Sequence, residues 1–388
     1  MILKKIIEDL NLRRAWGIEL YFAFMMILYS YSFMGIPLQV ILWGGLFVYL
    51  FFKKKKEVNQ VFRPLIILTV FILIHDFVYL FIANGNLNAY IMQIIYLGCI
   101  FLAVKVFNIE KLKGALNFVA IISIMGLLYQ WSIIATGGDV RPIQIPFLDM
   151  AQNRLETYSI RPSSFFMEPA AYVAFMYVPL AFSLIDGKYI WSVIIILSEF
   201  LTTSTTGLLT SFIIIIAYIF TQKGSLKMRL LIILLGGIMF FSLIHVRAFQ
   251  TGVDKLVNTD VETNIRLTQG AYVVNTMMAE ELLLGAPYHS AYDYCLDGRA
   301  PNVLFYDNEV YMSTIWMLIL KYGFVGLFLY MLFYIQIVRK KRESIPLVLC
   351  LCVTMFSSAY GLGGTFVYTS IPLLLLYYDK NIKIDYGK

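Results

Sequence analysis

Charge is scarce in this sequence. Only 14% of its 388 residues are Asp, Glu, Lys or Arg, and 60% are hydrophobic. Soluble domains carry about 25% charged and about 45–50% apolar residues. With a mean hydropathy of +0.76, the composition excludes a soluble domain, a disordered chain and a coiled coil. Cysteine is sparse too: Cys99, Cys350 and Cys352 lie in apolar segments and only Cys295 in a long loop. They offer no disulfide framework, and no CxxC or Cys/His spacing marks a metal site. The alternating segments of about ten residues expected of a transmembrane β-barrel are missing as well. Long apolar runs such as Leu65 to Phe81 stand in their place. The chain has no GxxxxGK[ST], GxGxxG or GxSxG motif and no zinc signature. ATP-driven and nucleotide-sugar chemistry therefore have no visible site, which leaves a donor that carries its own leaving group. No cofactor and no nucleic-acid partner are expected.

What the sequence has is enough apolar chain for about eleven or twelve bilayer crossings of roughly 20 residues each. Hydropathy predicts an all-α polytopic membrane protein, a single integral domain over 1–388. Its expected spans are 16–34, 37–52, 64–83, 88–104, 114–136, 168–186, 188–202, 207–221, 228–246, 323–338, 345–360 and 365–378. Lys4, Lys5, Arg13 and Arg14 precede the first run, Trp16 to Met34. That run is long for a signal-peptide core and lacks a small-x-small cleavage site, so it reads as a retained helix. Cytoplasmic loops carry the excess of Lys and Arg. Lys53 to Lys56, Lys223/Lys227/Arg229, Arg339 to Arg342 and the tail lysines all fall on the side of the N-terminus. Twelve helices put both termini in the cytoplasm and leave two long outer loops, 137–167 and 247–322. The apolar stretch Glu309 to Leu320 is expected to be a helix lying at the outer surface, because a thirteenth span would invert the Arg339 to Arg342 run.

Charge divides unevenly between the two sides. On this threading the outer side has eight basic residues against thirteen acidic ones, and six of the eight are arginines: Arg141, Arg154, Arg161, Arg247, Arg266 and Arg299. A side that avoids positive charge yet keeps arginine points to use of its planar fork, which grips phosphate or carboxylate where lysine offers a point charge. The alternative is pairing with the surplus outer acids.

The segment Arg161-Pro-Ser-Ser-Phe-Phe-Met-Glu168-Pro169 ends the first outer loop. Pro169 suits the first turn of a helix, which makes Glu168 its N-cap. Arg161 then stands near a helix N-terminus that favours anions. Two readings stay open. Either Arg161 binds a lipid-linked phosphate while Glu168 orients it or moves a proton, or Glu168 is a cap with Arg161 as its ion-pair partner. Thr202-Thr-Ser204-Thr205-Thr-Gly207, with Glu199 three residues earlier, could line a sugar-binding cavity; the simpler reading is a tight turn whose hydroxyls satisfy helix ends. His75 and Asp76 lie within the third span, where ionisable residues are functional candidates. As neighbours they point about 100° apart on a helix, so a buried contact between helices is expected rather than a dyad. In the large loop a helical stretch opens at Asn264-Ile-Arg266 and stops at Gly285-Ala-Pro287, with His289 following. Asp307 and Asn308 read either as caps of the surface helix or, for Asp307 and His289, as general bases. The loop's length and its Met, Leu and Tyr content argue that it is folded.

At Arg161 to Pro169 the chain resembles the Wzy-type polymerases of O-antigen and capsule repeat units, which share their architecture with the O-antigen ligases. The resemblance spans the chain as a pattern. It comprises twelve helices, an outer loop ending in Arg-x-Ser-x-Phe-x-x-Glu-Pro, the Thr-x-Ser-x-x-Gly turn at Thr202 to Gly207, and Arg266 opening the loop helix. An Asn-x-x-Tyr element, Asn308 to Tyr311, before Lys321-Tyr-Gly323 completes it. Two departures stand out. Asp307 occupies the place where the ligases tend to have His, which favours polymerase, and Gly285-Ala-Pro287 replaces the usual Gly-x-Gly. The resemblance implies transfer of a growing glycan from one undecaprenyl pyrophosphate to the non-reducing sugar of another lipid-linked repeat unit, without metal, in a bacterial cytoplasmic membrane. It implies pyrophosphate binding by Arg161, Arg266 and Arg247, and a base chosen among Asp307, Glu168 and His289. Asn308, Tyr311, Ser204 and Thr205 would line the substrate cavity. Membrane lipids, a chain-length regulator and a flippase are the implied partners. The alternative functions are an O-antigen or teichoic-type glycan ligase and, outside the enzymes, a polysaccharide transporter or flippase, which the ionisable His75 and Asp76 within a span would favour.

Overall fold

Helix α3 (Arg63–Ile82) shows the packing logic of the molecule. Leu65, Leu68, Thr69, Ile72 and His75 are buried, while Ile67, Val70, Ile74, Phe77, Val78 and Phe81 are exposed. A helix on a soluble protein turns a polar face outward. Here both faces are apolar, as a lipid surround requires. The computed structural model describes residues 10–53, 62–82, 86–150, 161–204, 207, 210–211, 213–214, 265–288, 290–301, 303, 305–306, 309–310, 312–357 and 362–378, with only the backbone of 265–267, 305–306 and 309.

The first part of the chain runs through α1 (Ile18–Leu28), α2 (Leu38–Phe52), α3, α4 (Leu87–Val106) and α5 (Ile109–Ala135). Next come α6 (Pro169–Ile185) and α7 (Tyr189–Leu201). The large loop contributes α8 (Ile265–Asn275), α9 (Ala279–Leu284) and α10 (Ala291–Leu296). The chain then forms α11 (Thr314–Lys340), α12 (Ile345–Ser357) and α13 (Gly364–Tyr378). Four of these, α3, α4, α5 and α11, are long and apolar enough to cross a membrane. Helices also occupy shorter apolar ranges at α1, α2, α6, α7 and α13. The protein is thus a mostly helical membrane protein. The expected spans 207–221 and 228–246 lie mostly and wholly outside the described residues.

Helix α6 is the axis of the bundle, with every residue from Tyr172 to Leu184 buried. The ring of Tyr368 on α13 stacks between Phe22 and Phe175, with centroids 5.7 and 5.8 Å away, and its hydroxyl donates to the Phe175 carbonyl at 2.9 Å. Polar contacts gather at the two ends of the bundle. At one end Asn11 donates to Glu110 at 2.8 Å. There too Lys113, 5% exposed, sits 2.8 Å from Asp186 and 3.0 Å from Glu110. At the other end lie the turn after α1, the segments 136–150 and 161–168, and the end of α7.

Two expectations need correcting. The run 16–34 is not one helix: α1 stops at Leu28, and β1 (Tyr31–Phe33) turns back into β2 (Ile36–Pro37). β1 also pairs antiparallel with β3 (Asp149–Met150), Ser32 opposite Asp149. Tyr31 and Phe33 favour strand, and the ladder ties the first helical hairpin to the 137–167 loop. The stretch Glu309 to Leu320 is not a separate surface helix either. Glu309–Val310 is a strand, β5, paired with β4 (Phe305–Tyr306), and α11 starts at Thr314 and continues through a kink at Gly323. Ser313, not Asp307 or Asn308, therefore occupies the N-cap.

The described part of the large loop is folded. Val273, Val274, Met277, Tyr294, Cys295, Met312 and Ile319 share a second apolar core, apart from that of the bundle. Arg299 closes this module by donating through one Nη2 to both carboxylate oxygens of Glu281 at 3.0 and 2.8 Å. This arginine, expected on the outer side, is thus paired with an acid.

Candidate functional site

The segment Arg161 to Pro169 is held by Gln130, a buried residue near the end of α5. Its Oε1 accepts from the backbone N–H groups of Ser163 at 2.9 Å and Ser164 at 2.7 Å. Its Nε2 donates to the Arg141 carbonyl at 2.7 Å. Tyr31, fully buried in β1, donates to the carbonyls of Ile143 and Phe165 at 2.8 and 3.0 Å. The Ile143 N–H donates to the Ser164 carbonyl at 2.8 Å. Ser163 Oγ closes the turn on the Phe166 carbonyl at 2.8 Å. A loop whose backbone polar groups are paired this fully is a fixed platform, not a tether.

Close approach to α5 depends on Gly126. A Cβ there would lie 2.4 Å from Ser164 Oγ and 2.9 Å from Phe165 Cε2. Ser164 itself has φ 57°, and its buried hydroxyl lacks a hydrogen-bond partner among the described residues.

Arg161 extends from this platform to the end of α7, where its Nη2 donates to the Thr203 carbonyl at 3.2 Å. Burial pulls the guanidinium below its ordinary pKa, and the nearby Glu168 carboxylate opposes that shift. The group keeps its charge at neutral pH, because a guanidinium titrates far above it. Glu168 takes the N-cap position of α6 with Pro169 at the first turn, as expected, but its side chain makes no capping hydrogen bond. Its carboxylate acts electrostatically on Arg161.

The turn after α7 uses its hydroxyls locally. Thr202 Oγ1 donates to the Glu199 carbonyl at 2.6 Å and accepts from Ser204 N–H at 3.3 Å. Ser204 Oγ accepts from Gly207 N–H at 3.4 Å. These bonds match the tight-turn reading. Beneath them Glu199 is fully buried. Its Oε2 accepts from the Ser211 hydroxyl, and its Oε1 has no hydrogen-bond partner among the described residues.

His75 and Asp76 do touch, with Nδ1 and Oδ1 3.4 Å apart, contrary to the expectation from their 100° separation. Tyr322 donates to Asp76 at 3.1 Å and Lys321 stands 3.6 Å from it, drawing the carboxylate across the helix surface. The pair serves as an interhelical contact, as expected. His75 Nε2 lies 2.8 Å from the Leu284 carbonyl, and Tyr79 donates to the Gly285 carbonyl at 2.9 Å. These residues of α3 fasten the folded loop to the bundle.

Arg266 falls in the first turn of α8, whose side chain is outside the described residues. Gly270, one turn later, lets α8 close on α11, since a Cβ there would meet Trp316 Cδ1 at 2.3 Å. Arg247, His289, Asp307, Asn308, Tyr311 and Thr205 lie outside the described residues. Among the described residues no three His, Cys, Asp or Glu side chains converge as metal ligands would. Sequence reasoning missed Gln130. Its signal was a lone amide in an apolar run. Comparison with protein-family models, with curated proteins and with solved structures yields no match to this chain.

Proposed function

We propose that this chain is a multi-pass membrane glycosyltransferase of twelve spans that polymerises undecaprenyl-pyrophosphate-linked oligosaccharide repeat units on the outer face of a bacterial cytoplasmic membrane. One observation carries the reading. Arg161 of the Arg-x-Ser-x-Phe-x-x-Glu-Pro motif donates to Thr203 of the Thr-x-Ser-x-x-Gly motif, 42 residues away. Two short motifs that resemble one enzyme family only in combination thus meet at one end of the bundle, around a half-buried cation on a rigid loop.

The chemistry follows from that cation. The acceptor hydroxyl oxygen attacks the donor's anomeric carbon and forms the new glycosidic bond. The bond from that carbon to the pyrophosphate oxygen breaks with inversion, and a base takes the hydroxyl proton. Charge grows on the leaving pyrophosphate, and Arg161, joined by Arg266 and Arg247, would stabilise it in advance of the reaction. Asp307, then Glu168 and His289, are the candidate bases; Asn308, Tyr311, Ser204 and Thr205 would border the sugar path. Chain-length regulator and flippase proteins are the partners such a polymerase works with.

Arg161→Ala tests the reading. Losing a preorganised donor of this kind costs roughly 3–4 kcal/mol, or about 100- to 1,000-fold in rate. Cells carrying the variant should retain the protein in the membrane and lose the glycan ladder. Arg161→Lys should rescue poorly, because a point charge does not replace a fork. A full ladder from Arg161→Ala would refute the reading.

A further inference from the structure

Met34 stands where the backbone asks for a different residue. Phe33 pairs with Ile36 across a two-residue loop, Met34-Gly35, and both loop residues have positive φ, 51° and 78°. A hairpin turn of this kind favours Asn, Asp or Gly at its first position, and a bulky side chain at positive φ is an outlier. Here the slot holds a methionine that is 83% exposed, flanked by the exposed Phe33 and Ile36. The turn gains nothing from this side chain, which points to a contact outside the chain.

The height of the tip identifies that contact. Helix α1 starts level with α5, because Glu19 in its first turn accepts from the Asn108 N–H at 2.9 Å. The 11 residues of α1 and the 3 of β1 then rise about 26 Å. That brings the tip close to the far boundary of a hydrocarbon core about 30 Å thick. The boundary suits both parts of the hairpin. In the strand order β2-β1-β3, β2 is an edge, and an unpaired strand edge is not tolerated within hydrocarbon. Phe33, Met34 and Ile36, by contrast, gain by leaving water. From β2 the exposed apolar surface continues onto α2 through Val40 and Ile41, so the tip is continuous with the lipid-facing side of the bundle.

We infer that the β1–β2 hairpin is a membrane anchor, with Phe33, Met34 and Ile36 seated in the lipid interface of the leaflet nearest the Arg161 platform. The same strand holds that platform. Tyr31, two residues before Phe33, donates to the Ile143 and Phe165 carbonyls at 2.8 and 3.0 Å. One short strand thus joins the lipid surface to the loop and fixes the height of the loop against the bilayer. The inference rests on the membrane reading and not on the polymerase activity: a chain that makes no glycan ladder would keep its anchor.

The test uses the full-length protein in nanodiscs of phosphatidylethanolamine and phosphatidylglycerol. Cys352→Ala is the background, since the other three cysteines are buried. A nitroxide is attached at Met34→Cys or at Ile36→Cys. Paramagnetic resonance then reads its collisions with oxygen, which concentrates in lipid, and with a water-soluble nickel chelate. Ile74→Cys, exposed on α3, gives the lipid reference, and Lys111→Cys, exposed at the opposite end, gives the water reference. The oxygen-to-nickel ratio at both tip labels should exceed that at Lys111→Cys several-fold. A ratio equal to that of Lys111→Cys places the tip in water, and few collisions with either agent place it against protein, such as a second copy of the chain. Either result overturns the anchor. Met34→Asp tests the side chain itself. Asp suits this turn better than Met, so the hairpin persists, while a charge is driven out of hydrocarbon. The ratio at Ile36→Cys should fall several-fold in the Asp variant, and an unchanged ratio overturns the role of Met34.

Discussion

Asn117, Ser123 and Gln130 interrupt the apolar sequence of α5 at spacings of six and seven residues, and all three are buried. Each faces protein: Asn117 accepts from Trp191 Nε1 at 2.9 Å, Ser123 donates to the Val119 carbonyl at 2.9 Å, and Gln130 holds the Arg161 loop. In a membrane helix the polar residues thus mark the inward stripe, the inverse of a soluble helix. Gln130→Leu would strand two N–H groups and a carbonyl, each costing about 1–3 kcal/mol when buried unpaired. We expect the variant in detergent to denature at least about 2 kcal/mol more easily and its polymer to fall with Arg161 displaced. Gln130→Glu, which keeps the acceptor for both N–H groups, should recover part of the loss. Unchanged stability and a normal ladder for Gln130→Leu would show that the loop does not depend on α5. The anchor residues differ in how far sequence exposes them. Arg161, Glu168 and Pro169 form a local string that a reader can recognise, whereas Gln130 acts on that string from 31 or more residues earlier. Only its polarity amid apolar neighbours gives it away.

Among the elements, the kink in α11 is set by two backbones touching. Gly323 has φ 64° and ψ −172°, a region open essentially to glycine alone. A Cβ there would lie 2.2 Å from the Leu283 carbonyl oxygen, and one on Gly285, with φ 98°, 2.2 Å from that of Lys321. The Ala286 N–H completes the junction on the Leu320 carbonyl at 2.7 Å. The Lys321-Tyr-Gly323 string and the Gly285-Ala-Pro287 turn are therefore two halves of one contact. Gly323→Ala should cost about 1–3 kcal/mol in backbone strain alone, read as a lower melting temperature of the purified protein. Gly285→Ala should act on the same contact, so the double variant should lose less than the sum of the two. Strict additivity would mean that the glycines serve separate sites. Hydropathy located these elements but not their ends. It counts apolar residues without registering a backbone reversal, so α1 with its hairpin read as one span and the strand before α11 read as helix. The motif glycine at 323 was visible, but the partner that makes it necessary lies 38 residues away.

For the molecule as a whole, the outward surface carries the argument. Ile41, Val48 and Phe52 on α2, Ile67, Ile74 and Phe81 on α3, and Ile91 and Ile94 on α4 are all exposed. So large an apolar surface on a folded chain calls for a cover, and a bilayer supplies one. The polar contacts at the bundle ends then fall on opposite sides of that belt. Asn11, Glu110, Lys113 and Asp186 meet at one; Tyr31, Gln130, Arg161 and Thr203 meet at the other. From the distribution of Lys and Arg we expect the first end to face the cytoplasm. If so, single cysteines replacing Phe147, 95% exposed, and Leu296, 59% exposed, should react with a membrane-impermeant thiol reagent in intact spheroplasts. A cysteine replacing the exposed Lys111 at the opposite end should react only after the membrane is opened. Of the native cysteines, Cys99, Cys295 and Cys350 are buried and Cys352 is half-buried, so the unsubstituted chain and a Cys352→Ala background are labelled in parallel. Reaction at Lys111→Cys in sealed spheroplasts, with silence at the other two, would turn the molecule over. The Arg161 platform would then face the cytoplasm, where a donor carrying its own pyrophosphate leaving group offers no advantage over nucleotide sugars, and the polymerase reading would fall with the topology.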